Sequence, residues 1–284
     1  MVLTANIWYI FLAIFLGFIA LIVRSFRWRT ILQRQEIPVM NFFESTCVGQ
    51  TVNNVFPFRI GDLMQAYFLG YKTGLSKSMI FSTVLMERLF DLFPPLIIII
   101  IGSYFVFLPD SIGREKFLIF MFLFLILCYL LLKSQKWINI TVKKLLPEGN
   151  FKLKILTLID NFYQSFKLLN SPNAIFLVVF LTIFLWFLYS LGVFFYLRAL
   201  NIELGFLPSV LIQAIIAMSV VIPSSPGYVG TWEFFSVVAL SIFGINKTHA
   251  LSFALIFHFF SWIFVTFVGS YIMLRTGLSF YKVE

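Results

Sequence analysis

Long apolar stretches alternate with two broken ones along this chain. Ala5 to Val23 holds no charged residue, and about 20 apolar residues suffice to cross a bilayer core. No basic residue precedes this run, while Arg24, Arg27, Arg29 and Arg34 follow it. A cleaved leader has basic residues before a shorter apolar core, so the run reads as a retained span. Ser76 to Leu108 reads as one long helix, nearly pure hydrocarbon from Pro94 to Phe107. A turn at Pro109-Asp110-Ser111 follows, and then Phe117 to Leu132, Ala174 to Leu197 and Thr248 to Leu274 complete about five spans.

The two interruptions differ from these spans. Ile222 to Phe234 reads Ile-Pro-Ser-Ser-Pro-Gly-Tyr-Val-Gly-Thr-Trp-Glu-Phe. Pro223 and Pro226 end a helix, because proline lacks an N–H and its ring clashes with the preceding turn. Gly227 and Gly230 supply backbone freedom. Thr231 as N-cap and Glu233 in the first turn predict a new helix. Met40 to Tyr71 is partly apolar yet carries Glu44, Gln50, Asn53, Asn54, Arg59, Asp62 and Gln65. Its centre predicts a helix to about Phe56, a turn, and a helix from about Asp62. Each arm is short, so both segments read as helical hairpins, with two short spans as the other reading. Broken backbone in lipid is tolerated only where protein or a watery cavity satisfies it, which makes each turn the wall of a site.

Charge orders these elements across the membrane. The chain has 21 Lys and Arg and a formal net charge of +9. Basic residues favour the cytoplasm. The layout puts 15 of the 21 inside, four outside (Arg114, Lys116, Arg198 and Lys247), and Arg59 and Arg88 at membrane depth. The N-terminus is then outside and the C-terminus in the cytoplasm of a multi-pass plasma-membrane protein. Lys133 to Lys167 is a basic segment in which Ile138, Val142 and Leu145 form one apolar stripe. Ile155, Ile159, Phe162 and Phe166 form another, predicting amphipathic helices on the inner surface across 134–170 that bind anionic inner-leaflet lipids.

The composition is 61% hydrophobic and 12% charged, against about 25% charged in soluble domains. Cys47 and Cys128 have no partner spacing, so neither a disulfide framework nor a metal site is indicated. No nucleotide loop or hydrolase motif occurs, no cofactor is expected, and the membrane sorting of the charge argues against nucleic acid.

Each half reads span, broken hairpin, span. Pro57 stands four residues before Gly61, as Pro223 does before Gly227. The halves begin on opposite sides, the pattern of an inverted repeat with broken helices meeting near the midplane. The expected fold is therefore an all-α polytopic membrane protein of two inverted-topology halves, each with a re-entrant helical hairpin. It reads as a single integral membrane domain over 1–284. Residues 1–109 form the first half, 110–172 a linking span and the cytoplasmic helices, and 173–284 the second half.

Three ordered motifs carry a resemblance that covers nearly the whole chain. They are Asn53-x-x-x-Pro57-x-Arg59-x-Gly61-Asp62, Glu87-Arg88-x-x-Asp91, and Pro223-x-Ser225-Pro226-Gly227-x-x-Gly230-x-x-Glu233. Together they resemble the flippase-like family related to the transmembrane region of lysylphosphatidylglycerol synthases. The resemblance implies movement of polar lipids between leaflets. Tyr228 stands where the family commonly has a small residue, and Gln65 where a basic one is frequent. The soluble aminoacyltransferase domain of some members has no room here, so synthase activity does not carry over.

The charged residues have paired readings. Arg59 and Arg88 at membrane depth suit a lipid phosphate, since guanidinium grips phosphate oxygens as a fork. Alternatively Arg88 pairs with Asp91, Glu87 or Asp62. Glu87 and Asp91 share a helix face. Asp62 and Glu233 either cap helices or contact substrate, and Glu233 can also bind a cationic headgroup or carry a proton. Asn53, Asn54, Ser224 and Ser225 suit sugar or phosphate hydrogen bonds, or local turn bonds. His258, inside the last span, reads as a structural hydrogen-bond partner. The leading expectation is a lipid translocase for a phospholipid or polyprenyl-phosphate-linked headgroup. The alternatives are a membrane-embedded enzyme on such lipids, or a noncatalytic partner of a lipid-modifying enzyme.

Overall fold

In the computed structural model every described element is helical. The described residues are 5–106, isolated positions between 115 and 126, 134–168, 171–221 and 224–277. The expected turn at Pro109-Asp110-Ser111, most of the expected span Phe117 to Leu132, and Pro223 lie outside them.

The chain enters α1 (Ile7–Leu32) at Asn6, whose side chain accepts from the Trp8 N–H at 3.1 Å. α2 (Val39–Val55) and α3 (Ile60–Thr73) form a tight pair, followed by α4 (Lys77–Gly102). α5 (Gln135–Leu145) and α6 (Asn150–Leu168) come next. The second half holds α7 (Pro172–Ala199), α8 (Phe206–Ala217), short 3₁₀ turns at Met218–Val220 and Pro226–Tyr228, α9 (Thr231–Ser241) and α10 (Lys247–Thr276).

Length separates two kinds of helix. α1, α7 and α10, with 26, 28 and 30 residues, are long and apolar enough to cross a membrane. α4 also has 26 residues but carries Glu87, Arg88 and Asp91. α2 and α3, with 17 and 14 residues, reach only about 25 and 21 Å, and α8 and α9, with 12 and 11, about 18 and 17 Å. All four fall short of the roughly 30 Å hydrocarbon core.

Packing repeats when the halves are exchanged. α2 lies on α10 as α8 lies on α4, α3 packs on α4 as α9 does on α10, and α1 and α7 run along each other. The α1–α7 seam buries Ala13 and Ala20, small residues that let backbones approach closely without a hydrophobic drive between helices. On the other face of α1, Phe11 and Phe15 point outward.

Three boundaries depart from the sequence expectation. α8 ends at Ala217 rather than near Ile222, and the chain continues as a 3₁₀ turn. Gly230, not Thr231, is the N-cap of α9, at φ 90°, a left-handed value that favours glycine. α1 continues to Leu32 and carries Arg24 and Arg27 into the protein interior, where the sequence reading had placed both in the cytoplasm. A helix needs no break where a charge finds a buried partner, and the partners lie on α4.

Candidate functional site

Two broken turns meet. The first begins where α2 ends at Val55. Phe58 and Arg59 follow at φ 60° and 56°, consecutive left-handed residues that cost on the order of 1 kcal/mol or more each outside glycine. Side-chain bonds hold them there. Asn53 Oδ1 accepts from the Gly61 N–H at 2.7 Å, and its Nδ2 donates to Asp62 Oδ1 at 3.2 Å. Gly61 is required because a Cβ there would collide with the Gly49 carbonyl and the Asn53 side chain. Asn53 is buried and helps line the cleft, and it locks the turn.

Asp62 sits at the centre. Arg88 grips it with both arms, Nη2 to Oδ1 at 2.7 Å and Nε to Oδ2 at 3.2 Å. Arg59 Nε lies 3.6 Å from Asp62 Oδ2, and its Nη1 donates to the Val220 carbonyl of the second half at 3.4 Å. Deeper on α4, Glu87 is fully buried. It accepts from Arg24 Nε at 2.9 Å, Arg27 Nη2 at 3.1 Å and Gln65 Nε2 at 3.4 Å. Asp91 accepts from Arg27 Nη2 at 2.6 Å, and Arg24 and Arg88 stand 3.5 and 3.6 Å away. Arg27 Nη1 also donates to Thr182 of α7 at 3.2 Å.

Among the described residues the network thus joins four guanidiniums, Arg24, Arg27, Arg59 and Arg88, to three carboxylates, Asp62, Glu87 and Asp91. Four positive charges less three negative leave one positive charge. Three arginines are tightly paired and nearly buried; Arg59 has the weakest pairing and keeps 33% of its side chain exposed. The excess cation therefore resides at the turn. Sequence reasoning missed Arg24 and Arg27. The signal was present as their i,i+3 spacing on an uninterrupted helix, facing two acids four apart on another.

The second turn closes over the first. Gly227 and Tyr228 are left-handed at φ 62° and 63°. A Cβ on Gly227 would crowd Trp262 and the Asn54 carbonyl, so glycine permits this approach. Thr231 Oγ1 donates to the Tyr228 carbonyl at 3.0 Å, and Ser225 Oγ to that of Val229 at 2.6 Å. Between the turns lies a cleft lined by Asn53, Phe58 and Arg59 on one side and Ser224, Ser225 and Tyr228 on the other. Its volume is about 10 Å³, room for roughly one water. Asn54 does not face it, since its Nδ2 donates to Thr266 Oγ1 at 2.8 Å and ties α2 to α10. Glu233 lies behind the second turn. Its Oε2 accepts from the Gly230 N–H at 2.6 Å, while Oε1 lies 2.5 Å from His258 Nδ1.

Comparison with known proteins agrees with the architecture. The model of the lysylphosphatidylglycerol synthase transmembrane region matches residues 2–269. A UPF0104 membrane protein of Methanocaldococcus jannaschii is 26% identical over 240 residues, covering 82% of this chain and 94% of its own. A second from that organism is 28% identical over 295 residues, covering 94% and 84%. One from Methanothermobacter thermautotrophicus is 21% identical over 260 residues, covering 84% and 77%. No solved structure matches. With this match over most of the chain, the paired short helices and the long apolar ones, the chain is a membrane-embedded, all-α member of the lysylphosphatidylglycerol synthase transmembrane-region family.

Proposed function

We propose that this protein is a lipid translocase that passes a phosphate-bearing headgroup between its two broken turns while the acyl tails stay in lipid. One observation carries the reading: a buried charge network ends with one unbalanced cation, Arg59, in a cleft formed by both hairpins. A charge at membrane depth without a full counter-charge is costly, and a headgroup phosphate would balance it. Guanidinium binds phosphate as a fork. The Ser224 hydroxyl, buried without a partner among the described residues, and Ser225 add short-range hydrogen bonds.

The remaining predicted residues divide by role. Arg59, Ser224 and Ser225 would contact the headgroup. Asn53, Asp62, Arg88, Glu87 and Asp91 would hold Arg59 in place, and Gly227 would let the second turn close. The cleft is too small for a phosphate as it stands, so the turns must part during each passage. Four short helices, each ending at a turn, supply the movable parts. We place the protein in the plasma membrane with its N-terminus outside, on the asymmetry of basic residues; moving Arg24 and Arg27 to membrane depth leaves that asymmetry in the same direction.

The test is movement of fluorescent phosphatidylglycerol in liposomes containing the purified protein. Arg59→Gln should lower the rate about tenfold to a hundredfold, as expected for losing a charge-assisted contact of about 1.5–3 kcal/mol. Arg59→Lys should restore only part, because it keeps the charge and loses the fork. A normal rate in Arg59→Gln would refute the cradle.

A further inference from the structure

Two acceptors flank the His258 ring, the Glu233 carboxyl and the Gly227 carbonyl. Its Nε2 lies 2.8 Å from the Gly227 carbonyl oxygen. A carbonyl only accepts, so Nε2 carries a hydrogen. Its Nδ1 lies 2.5 Å from Glu233 Oε1. Nδ1 and Oε1 are therefore placed to share a second hydrogen, carried by either the ring or the carboxyl. With that hydrogen in place the pair is neutral as a unit. The Trp232 ring stacks on the imidazole, with centroids 5.1 Å apart and planes at 21°, an arrangement that favours positive charge on the imidazole.

Other ionisable groups stand apart. α9 carries Glu233 as its acid. α8 and the Met218–Val220 turn contain no charged residue. α7 offers Tyr196, whose ring is tilted against Phe257 and whose hydroxyl bonds to Ser261. α1 meets α10 through Phe18 and Phe264, and α2 through Thr51 and Asn54 and through Cys47, which packs at Gly269. The turn contributes Tyr228, and Arg59 lies across the cleft. Trp232 Nε1 and Ser236 Oγ, one helical turn apart on α9, are buried without a partner among the described residues. Such groups in proteins are usually met by water.

We propose that Glu233 and His258 form a proton-binding site that latches the Gly227 turn, so that headgroup passage is coupled to proton movement; this rests on the translocase reading. On release, the bridging proton passes to water and the pair becomes singly negative. Nδ1 and Oε1 then repel. Either the carboxylate withdraws and frees the Gly230 N–H, or the ring adopts its other tautomer and frees the Gly227 carbonyl. Both outcomes loosen the wall of the cleft. Rebinding a proton reverses the step.

The experiment uses the same liposomes, with and without a gradient of about two pH units. For one proton per lipid, that gradient sustains up to about a hundredfold lipid asymmetry, each tenfold being about 1.4 kcal/mol. Wild type should accelerate and accumulate lipid in the direction set by the gradient. Glu233→Gln should lose that response, because the amide keeps both hydrogen bonds, to the Gly230 N–H and to Nδ1, but cannot release the proton. His258→Gln should lose it too. Movement that ignores the gradient in wild type would overturn the coupling and leave the translocase reading standing. No movement under any condition would overturn both. Independently, nitrogen-15 spectra of the His249→Gln protein, in which His258 is the remaining histidine, should show a low-field bridging proton at Nδ1. Its absence at neutral pH would remove the proton site whatever the transport result.

Discussion

Arg27 and Arg59 show how differently two arginines behave near one another. Arg27 is fully buried and bonds Glu87, Asp91 and Thr182. Removing one partner of a buried pair leaves an uncompensated charge and costs about 3–5 kcal/mol. Arg27→Met, Glu87→Gln and Arg88→Gln should therefore each lower the unfolding temperature in detergent, and Arg27→Met combined with Glu87→Gln should recover part of the loss. Arg59 is partly exposed with a single long ion pair, so Arg59→Gln should unfold close to wild type while losing transport. Equal destabilisation by Arg59→Gln and Arg88→Gln would erase this division between gripping and supporting arginines.

At the scale of elements, the hairpins depend on close backbone approach. Gly61→Ala would drive a methyl into the Gly49 carbonyl and the Asn53 side chain, and the cost should appear as separation of α2 from α3. Faster hydrogen exchange of the Asn53–Asp62 turn would report it. α5 and α6 follow a different logic. α6 is tied to α4 by Asn161 Nδ2 donating to Ser78 Oγ at 3.0 Å, and α5 to α6 by Gln135 and Asn139 donating to Asp160 Oδ1, each at 3.1 Å. Yet Trp137 and Ile140 of α5 remain exposed, at 74% and 58%, with Lys136, Lys143 and Lys144 on the same helix. A surface of apolar and basic residues suits an anionic membrane face, at about 1 kcal/mol per basic residue. A polarity-sensitive dye on Trp137→Cys should shift to the blue when anionic lipid is present. Lys136→Gln, Lys143→Gln and Lys144→Gln together should abolish the shift, and a shift independent of both would remove the lipid contact.

For the whole molecule, the exchange of halves places both turns against one cleft. In a background lacking Cys47 and Cys128, Phe58→Cys with Ser225→Cys should crosslink through a short bifunctional reagent, and transport should stop when it does. Sidedness has its own test: Asn246→Cys should react with an impermeant thiol reagent from outside and Gln135→Cys should not. Labelling of both from the same side would overturn the orientation.

Hydropathy, proline and charge order determined much by themselves. They specified the helices, the two broken helix pairs and the family motifs, because helix formation in lipid follows from local composition and from the need to satisfy backbone polar groups within each segment. Side-chain assignment did not follow. The i,i+3 spacing of Arg24 and Arg27 puts them on one face of α1, but nothing local says what that face meets. Only the position of α4 beside α1 supplies Glu87 and Asp91 and makes burial tolerable. Glu233 and His258 are 25 residues apart and become a pair through α9 lying on α10. Asn53 and Asn54 are adjacent and take opposite directions, one toward Asp62 and one toward Thr266. Local sequence sets which residues are polar within the apolar segments; long-range packing decides which charges cancel, and among the described residues of the network that balance leaves Arg59 the least matched cation.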